Sequence, residues 1–555
     1  MTPDLLAEAV VSAVRAAVAD GEISLGGADV PDDVVIERPR NPEHGDYATN
    51  VAMRLAKQAG RPPREVAQAI ADRLLANPGV AAVDIAGPGF INISVEAAAA
   101  GQLVAEVVEA GAGYGTVDAL AGQRINLEYI SANPTGPLHL GHTRWAAVGD
   151  AMARVLAAAG AEVGTEFYVN DRGVQMDRFG ASLVAAAHGQ AAPADGYHGG
   201  YIVDLASIIV AEHPEALELT GDAAMEFFRD EGYAHQLAQQ QQVLRIFRTE
   251  FDVWYSERHL HDSGAVERGF ATLDAAGYTY DSDGAKWLRT SEFGDDKDRV
   301  LVKSDGEMTY FASDSAYYLD KRTRGFDVNI YLLGADHHGY VGRLKAIAAC
   351  AGDDPEFNIE ILIGQLVKIY RSGEEVRLSK RAGDIVTLED LVDEVGVDAA
   401  RYSLIRYPAD SPLTLDLDLL VKRTNDNPVF YVQYAHARIS SVLRHAADLG
   451  IDWRAAPFQA GLLGEDRERD LISVIADLPR VVASAAELRE PHRVARYLEE
   501  LANAYHKFYD SCRVLPRGDE ELTETSIARL WLCAAARQTL ANGVTMLGVS
   551  APERM

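Results

Sequence analysis

Two apolar runs, each followed by a segment of helical period, set the plan of the middle of the chain. Ile125-Asn-Leu-Glu-Tyr-Ile130 reads as a buried strand. From Trp145 to Gly160 apolar residues recur at helical spacing and stop at a glycine, and Gly164–Val169 is again a strand. The same order returns far downstream. Val328–Leu333 reads as a strand, Gly334-Ala-Asp-His-His-Gly339 as a turn, Tyr340–Gly352 as a helix and Ile359–Tyr370 as a further strand. Two such units, paired in parallel, make the halves of one Rossmann-type, doubly wound α/β sheet over residues 116–386, with an insertion at about 172–300.

The flanks differ in pattern. Residues 1 to about 115 read as an N-terminal α+β module. Helical patterns at Asp4–Ala19 and Arg64–Ala76 flank Asn41–Asn50, and the strand Gly89–Ser94 closes the module. Gly111-Ala-Gly-Tyr-Gly115 is expected to be a linker; its spacing and the lack of a feeding strand exclude a dinucleotide fingerprint. From about Leu388 the pattern becomes long amphipathic helices, so residues 387–555 read as an all-α bundle. Asn427-Pro428 is a helix start, and Val429, Val432, Ala435, Ile439 and Val442 follow one face.

Composition narrows the class. The 555 residues are 48% hydrophobic and 24% charged, which fits a globular protein of three or four domains. A net charge of −31 weighs against a nucleic-acid partner, although a local basic groove survives inside an acidic surface. Cys350, Cys512 and Cys533 are scattered, with no Cys-x-x-Cys pair, so neither zinc nor a disulfide framework is expected. No basic leader and no membrane-length apolar stretch is visible, and a soluble cytoplasmic protein with no membrane partner is expected.

Three segments carry candidate chemistry. In Ser131-Ala-Asn-Pro-Thr-Gly-Pro-Leu-His-Leu-Gly-His142, two histidines three residues apart lie at a strand–loop–helix junction. Backbone N–H groups and the helix dipole there can receive phosphate. Gly141 lets a base or ribose come close. Zinc ligation by His139 and His142 lacks a third ligand nearby. In Val376-Arg-Leu-Ser-Lys-Arg-Ala-Gly383, Lys380 and Arg381 make a basic loop that is either solvated or clamps a triphosphate. In Met308–Asp314, Tyr310 and Asp314 share a helix face. Asp314 is a cap, a surface acid, or a carboxylate for a guanidinium.

Taken together, these segments resemble the class I arginyl-tRNA synthetases over nearly the whole chain. His139-Leu-Gly-His142 is similar to the HIGH signature, and Arg377-Leu-Ser-Lys-Arg381 to KMSKS, with arginine replacing the first lysine and the final serine. More specific are Ser131–Pro137, Trp287–Arg299, Asp336-His-His-Gly-Tyr340, Asn427–Arg438, and Ser550–Met555. Asp398-Ala-Ala-Arg401 is similar to the DALR box, with Ala400 for its leucine. The resemblance implies ATP-dependent ligation of L-arginine to tRNA(Arg) through an arginyl-adenylate, with Mg2+ accompanying the nucleotide, and no editing domain. It implies arginine binding by Ser131, Asn133, His142, Tyr310, Asp314 and His338, with Glu128 a weaker candidate for the substrate ammonium. It implies ATP binding by His139, Gly141, His142, Arg377, Ser379 and Lys380, with His139, His142 and Lys380 catalytic. Residues 1–115 are expected at the tRNA elbow and 387–555 at the anticodon, where Tyr407 and Tyr434 are the candidates for stacking on bases. A monomer is expected. Two alternatives are another class I ligase or adenylyltransferase, and a non-catalytic RNA-binding paralogue. The intact His139, His142 and Lys380 argue against the second.

Overall fold

A computed structural model describes residues 2–39, 41, 44–375, 386–518 and 520–555. The N-terminal module begins with the helix Pro3–Ala19, capped by the Thr2 hydroxyl, which accepts from the Leu5 N–H. Strands β1 (Tyr47–Thr49), β2 (Val80–Ala86) and β3 (Phe90–Val95) form an antiparallel sheet in the order β1-β3-β2. Helices Val51–Ala59 and Pro63–Leu74 cover it, and Leu6, Val10, Val14, Ile70, Ile91 and Ile93 fill its core. That core stops at Val95. The next helix, Ala97–Ala110, buries Leu103, Val104 and Val107 against the main body instead. The glycine-rich stretch expected to be a linker is docked. The Asn542 amide donates to the carbonyls of Gly111 and Tyr114, and the Tyr114 hydroxyl to that of Ile475.

The central sheet has five parallel strands. These are β4 (Arg124–Glu128), β5 (Glu162–Val169), β6 (Val253–Ser256), β10 (Val328–Gly334) and β11 (Ile359–Gly364), in the order β11-β10-β4-β5-β6. Helix Leu140–Ala158 joins β4 to β5, and helix Val341–Cys350 joins β10 to β11. β10 is buried along Val328–Leu332, as a parallel strand covered on both faces must be. The two halves run outward from the β4/β10 pair. The crevice beyond the carboxyl ends of those strands is therefore the switch point where such sheets bind ligands.

Several expectations need correction. The helix after β4 starts at Leu140, not Trp145, because the His139 ring caps it by accepting from the Gly141 N–H. The expected strand 359–370 is two strands. At Gly364 an added Cβ would lie 2.4 Å from the Trp145 ring, and beyond it the chain leaves the sheet. It continues as β12 (Val367–Arg371), which pairs with β13 (Glu374–Glu375) and, in parallel, with β14 (Leu413–Asp416). The region expected to be all helical therefore contributes a strand. The expected insertion is not one body. Helices Val174–Ala187, Gly200–Glu212 and Gly221–Ile246 form an excursion, after which β6 returns to the sheet edge beside β5. A second excursion holds β7 (Thr279–Ser282), β8 (Ala285–Leu288) and β9 (Arg299–Val302), an antiparallel sheet in that order.

A buried arginine locks these pieces together. Arg401 is 0% exposed. Its guanidinium pairs with Asp150 on helix Leu140–Ala158. It also donates to the carbonyls of Phe247 at 2.8 Å and Leu547 at 3.1 Å and to the Thr249 hydroxyl at 3.1 Å. Two turns of backbone and one carboxylate thus depend on one side chain. Asp398, on the same helix Val397–Ile405, accepts from Arg248 at 2.5 Å, Gln433 at 2.8 Å and the Ser550 N–H at 3.1 Å. Without Arg401 the buried carbonyls of Phe247 and Leu547 lose a donor, and Asp150 keeps only the partly exposed Arg154 at 2.8 Å. Arg401→Met should cost about 3–5 kcal/mol of apparent stability in urea unfolding. Adding Asp150→Leu should recover part of that loss. Strictly additive losses would show that the two side chains act independently.

Candidate active site

At the carboxyl end of β4 the backbone turns sharply. Ile130 and Ser131 both take positive φ, 73° and 45°, an uncommon state for residues other than glycine and strained for a β-branched one. This turn aims the Ser131 hydroxyl back at Glu128 Oε1, 2.9 Å away, while Ser131 Oγ accepts from the Tyr168 N–H at 3.2 Å. The other Glu128 oxygen takes the Lys321 ammonium at 2.6 Å. Lys321 is 0% exposed and lies over the rings of Tyr317 and Tyr331, at 4.5 and 4.0 Å.

Lys321 ends a stripe along helix Tyr310–Thr323, which the Thr309 hydroxyl caps by accepting from the Ala312 N–H. Residues 310, 314, 317 and 321 recur at three and four positions and so share a face. The stripe runs from solvent into the protein. Tyr310 is exposed at the rim, and Asp314 lies one turn deeper. Tyr317 is buried and donates to Glu166 at 2.5 Å, where Arg324 also pairs at 2.6 Å.

Asp314 has no ion-pair partner among the described residues. Burial pushes its carboxyl up to about 7; Glu257 and, more weakly, Glu128 add to this, and Arg343 opposes it. Glu257 opens the helix Glu257–Asp262 directly after β6 and is 5% exposed. Its carboxyl is raised first by burial, with Asp171 adding to the effect and Arg172 opposing it. Tyr168, which stacks on Tyr255 at 6.3 Å, is pushed up by burial and by the fields of Glu257, Asp314 and Glu128. Neither Asp314 nor Glu257 has an ion-pair partner among the described residues, and their surroundings penalise a bare charge. Such a site favours a cationic ligand that brings its own hydrogen-bond donors. Glu257 and Tyr168 were not found from sequence. An acid in the first turn of a helix is ordinary, and only the return of β6 to the sheet edge brings Glu257 to the pocket.

The two histidines meet at the start of helix Leu140–Ala158, with ring centroids 3.9 Å apart. His139 Nδ1 accepts from the Gly141 N–H at 3.1 Å, and His142 Nδ1 from the His139 N–H at 3.2 Å. Burial lowers His139, and burial together with His139 lowers His142 to about 3. Both rings are therefore neutral near pH 7. With each Nδ1 accepting, each proton sits on Nε2, free to be donated. Among the described residues no group of three or more His, Cys, Asp or Glu is placed to hold a metal.

The remaining candidates disperse. Arg377, Ser379 and Lys380 lie outside the described residues. The Val386 carbonyl accepts from the Leu140 N–H at 2.8 Å, so Val386 lies against the start of the histidine helix. Asn133 is exposed beside the turn. His338 is exposed in the turn Ala335–Tyr340 and lines a cavity of about 420 Å³ with Val148, Tyr407 and His492. Tyr407 sits with Arg406, which donates to its hydroxyl at 2.6 Å. Tyr434 stacks on Phe430 and His506, at 5.9 and 5.8 Å, with Arg438 over the rings of Tyr434 and Tyr509. His492 and His506 are 14 positions apart on one helix, roughly 21 Å, so Tyr407 and Tyr434 mark separate places.

Comparison with known proteins gives a consistent picture. Residues 4–95 match the family model "Arginyl tRNA synthetase N terminal domain". Residues 221–408 match "tRNA synthetases class I (R), catalytic domain", and 432–555 match "DALR anticodon binding domain". The chain is 57% identical to an arginine–tRNA ligase of Frankia alni over the whole of both chains. It is likewise 57% identical to that of Kineococcus radiotolerans, again over the whole of both. A solved arginyl-tRNA synthetase of Thermus thermophilus matches all of both chains with a TM-score of 0.77 at 23% identity and so shares the fold.

The raised Asp314 carboxyl has a consequence for stability. The folded state holds that proton more tightly than the unfolded chain, so stability falls as pH rises from the ordinary carboxylate range to about 7. Asp314→Asn should therefore raise the thermal midpoint at pH 8 and change it little at pH 4. A lower midpoint at pH 8 would mean that the carboxylate is paired in the ligand-free protein.

Proposed function

The chain belongs to the arginyl-tRNA synthetase family, and from that premise and the pocket's geometry we propose which residues carry each step. The protein is an arginine–tRNA ligase that uses ATP. The observation that carries the assignment is the unpaired, desolvated Asp314 with Glu257 beside it. A substrate guanidinium completes that charge arrangement, with Tyr310 closing over it from the rim. Lysine has the charge but not the fork of donors, and would leave buried acceptors unpaired. At the other end of the amino acid, Ser131 Oγ gives its proton to Glu128 and retains a lone pair. Together with Asn133 and the Glu128 carboxylate it receives the substrate ammonium. His338 is the family-matched residue that we also assign to arginine.

The arginine carboxylate then faces ATP. Its oxygen attacks the α-phosphorus and the bond to pyrophosphate breaks. A carboxylate is already a nucleophile, so no base is needed, and positioning with charge stabilisation carries the step. The Nε2–H groups of His139 and His142 donate to phosphoryl oxygens, Gly141 admits the nucleoside, and Arg377, Ser379 and Lys380 take the departing pyrophosphate. Mg2+ enters as part of the nucleotide substrate, and no step is assigned to it. In the second step the terminal 2′-OH of tRNA(Arg) attacks the adenylate carbonyl, the bond from that carbon to the phosphate oxygen breaks, and AMP leaves with the hydroxyl proton taken up by its phosphate. Residues 1–115 meet the tRNA elbow and the C-terminal helices meet the anticodon. There the face of Phe430, Tyr434, Arg438, His506 and Tyr509 offers stacking and charge together, a combination suited to splayed bases. Tyr407, which lines a cavity with His492 at the start of the helix that carries His506, is a second contact. We propose a cytoplasmic monomer; no described helix is long and apolar enough to cross a membrane.

Losing a charge-assisted pair while its partner stays buried costs roughly 2–4 kcal/mol. Asp314→Asn should therefore raise the arginine KM in ATP–pyrophosphate exchange, with tRNA present, by about 30-fold or more. The ATP KM should hardly change. An unchanged arginine KM would remove Asp314 from the site. The pH profile makes a second test. Protonated Asp314 cannot pair with a guanidinium, so kcat/KM for arginine should fall as pH drops through about 7. His142, neutral down to about 3, should contribute no limb of its own. A limb unchanged in Asp314→Glu and lost in His142→Asn would reverse that assignment.

A further inference from the structure

The loop Ala132-Asn-Pro-Thr-Gly-Pro137 makes no backbone–backbone hydrogen bond among the described residues. Pro134 and Pro137 have no N–H to give, and the loop leaves a strained turn at Ile130-Ser131. Every side-chain hydrogen bond it receives comes from the helical excursion between β5 and β6. Gln240 Nε2 donates to the carbonyls of Asn133 at 3.0 Å and Gly136 at 2.8 Å, and the Tyr201 hydroxyl donates to that of Thr135 at 3.2 Å. Gln240 is 1% exposed. Two carbonyls facing one amide nitrogen fix which way the amide points, and its Oε1 is left buried with no partner. An unsatisfied buried acceptor is costly, so this side chain is poorly explained as core filling.

We propose that Gln240, assisted by Tyr201, is a positioning residue for the ligation reaction. It holds the loop at the curvature that places Ser131 and Asn133 around the amino end of the substrate. The inference rests on the reading of that loop as part of the arginine site. Its chemistry is a two-point clamp. One amide spans Pro134 and ties both sides of the loop to a helix that ends at Ile246, next to the Phe247–Thr249 turn that Arg401 holds. Helix Gly221–Ile246 is therefore fixed at its C-terminal end to the catalytic body and supports the loop from its last two turns. Gln240 sits among four consecutive glutamines, 239–242, and only it reaches the loop carbonyls.

The test uses the full-length protein with tRNA(Arg). Gln240→Leu keeps the volume and removes both donors. It should raise the arginine KM about tenfold or more, since small misplacement of binding groups is enough, with the ATP KM within about twofold. In hydrogen exchange, amides of Ser131–Leu138 should exchange faster while β4 and β5 stay protected. Tyr201→Phe, which removes one bond and keeps the ring, should show both effects more weakly and serves if Gln240→Leu does not fold. If either variant folds with the arginine KM and the loop exchange both unchanged, or with only one of them moved, the positioning role is overturned. Asn133→Ala, run alongside, separates the two claims. An unaltered arginine KM there refutes the arginine reading of the loop, whereas a raised KM there with an unaltered Gln240→Leu refutes the clamp alone.

Discussion

The catalytic body depends on how it handles charge removed from water. Three carboxylates buried in and around the central sheet come with their own cations: Glu128 with Lys321, Glu166 with Arg324, and Asp150 with Arg401 and Arg154. Apart from the Asp150–Arg154 pair, each joins elements distant in sequence. Glu128 on β4 is tied to the helix that follows β9, and Asp150 to the helical region near residue 400. Such pairs contribute modestly as net stability, but separating one is costly, so they fix which element sits against which. Asp314 and Glu257 depart from this rule. They are acids in the same desolvated region with no ion-pair partner among the described residues, and both are pushed toward the protonated form. Asp171, another buried acid with no ion pair among the described residues, is satisfied by the Ser256 hydroxyl and the Arg258 N–H; the raised Asp314 and Glu257 carboxyls leave room for a cation from outside.

The same logic explains the histidine pair. A charged imidazole would repel its neighbour 3.9 Å away and would be costly in a half-buried place. Both rings stay neutral and serve as oriented N–H donors. The helix start supplies the acceptor-side bonds that hold the protons outward. Ser131 stands at the start of the segment Ile130–Leu138 and the histidine pair follows its end, which is why the support of that segment matters to both of the proposed sites.

Much of this was readable in sequence, and the failures have physical causes. β10 was legible because a parallel strand covered on both faces is a nearly continuous apolar run, and β4 and β5 because they flank the helical pattern that ends at Gly160. β6 was not, because four residues at the end of a long excursion carry no period of their own, and with β6 went Glu257. The split at Gly364 depends on the Trp145 ring, which no local pattern announces. β2 was missed because alanine is a weak strand marker. Asp314 and Tyr310 were found through their spacing on one helix face, but not that one lies inside and the other at the rim. A run of four glutamines reads as a polar surface, and only the fold shows that one of them faces inward. Arg401 stood out in the sequence by resemblance alone; its network of carbonyls and Asp150 belongs to tertiary structure.

The central claim is that Asp314, its carboxyl raised to about 7, waits about half protonated at neutral pH for a guanidinium. Titration calorimetry of L-arginine into the protein with tRNA(Arg) at pH 6.5, repeated in buffers of different ionisation enthalpy, counts the protons that binding moves. The account predicts release of roughly half to one proton per arginine bound, and none in Asp314→Asn at arginine concentrations high enough to bind. Binding to the unaltered protein with no proton release would show that the carboxylate is already ionised and paired, and would contradict the account.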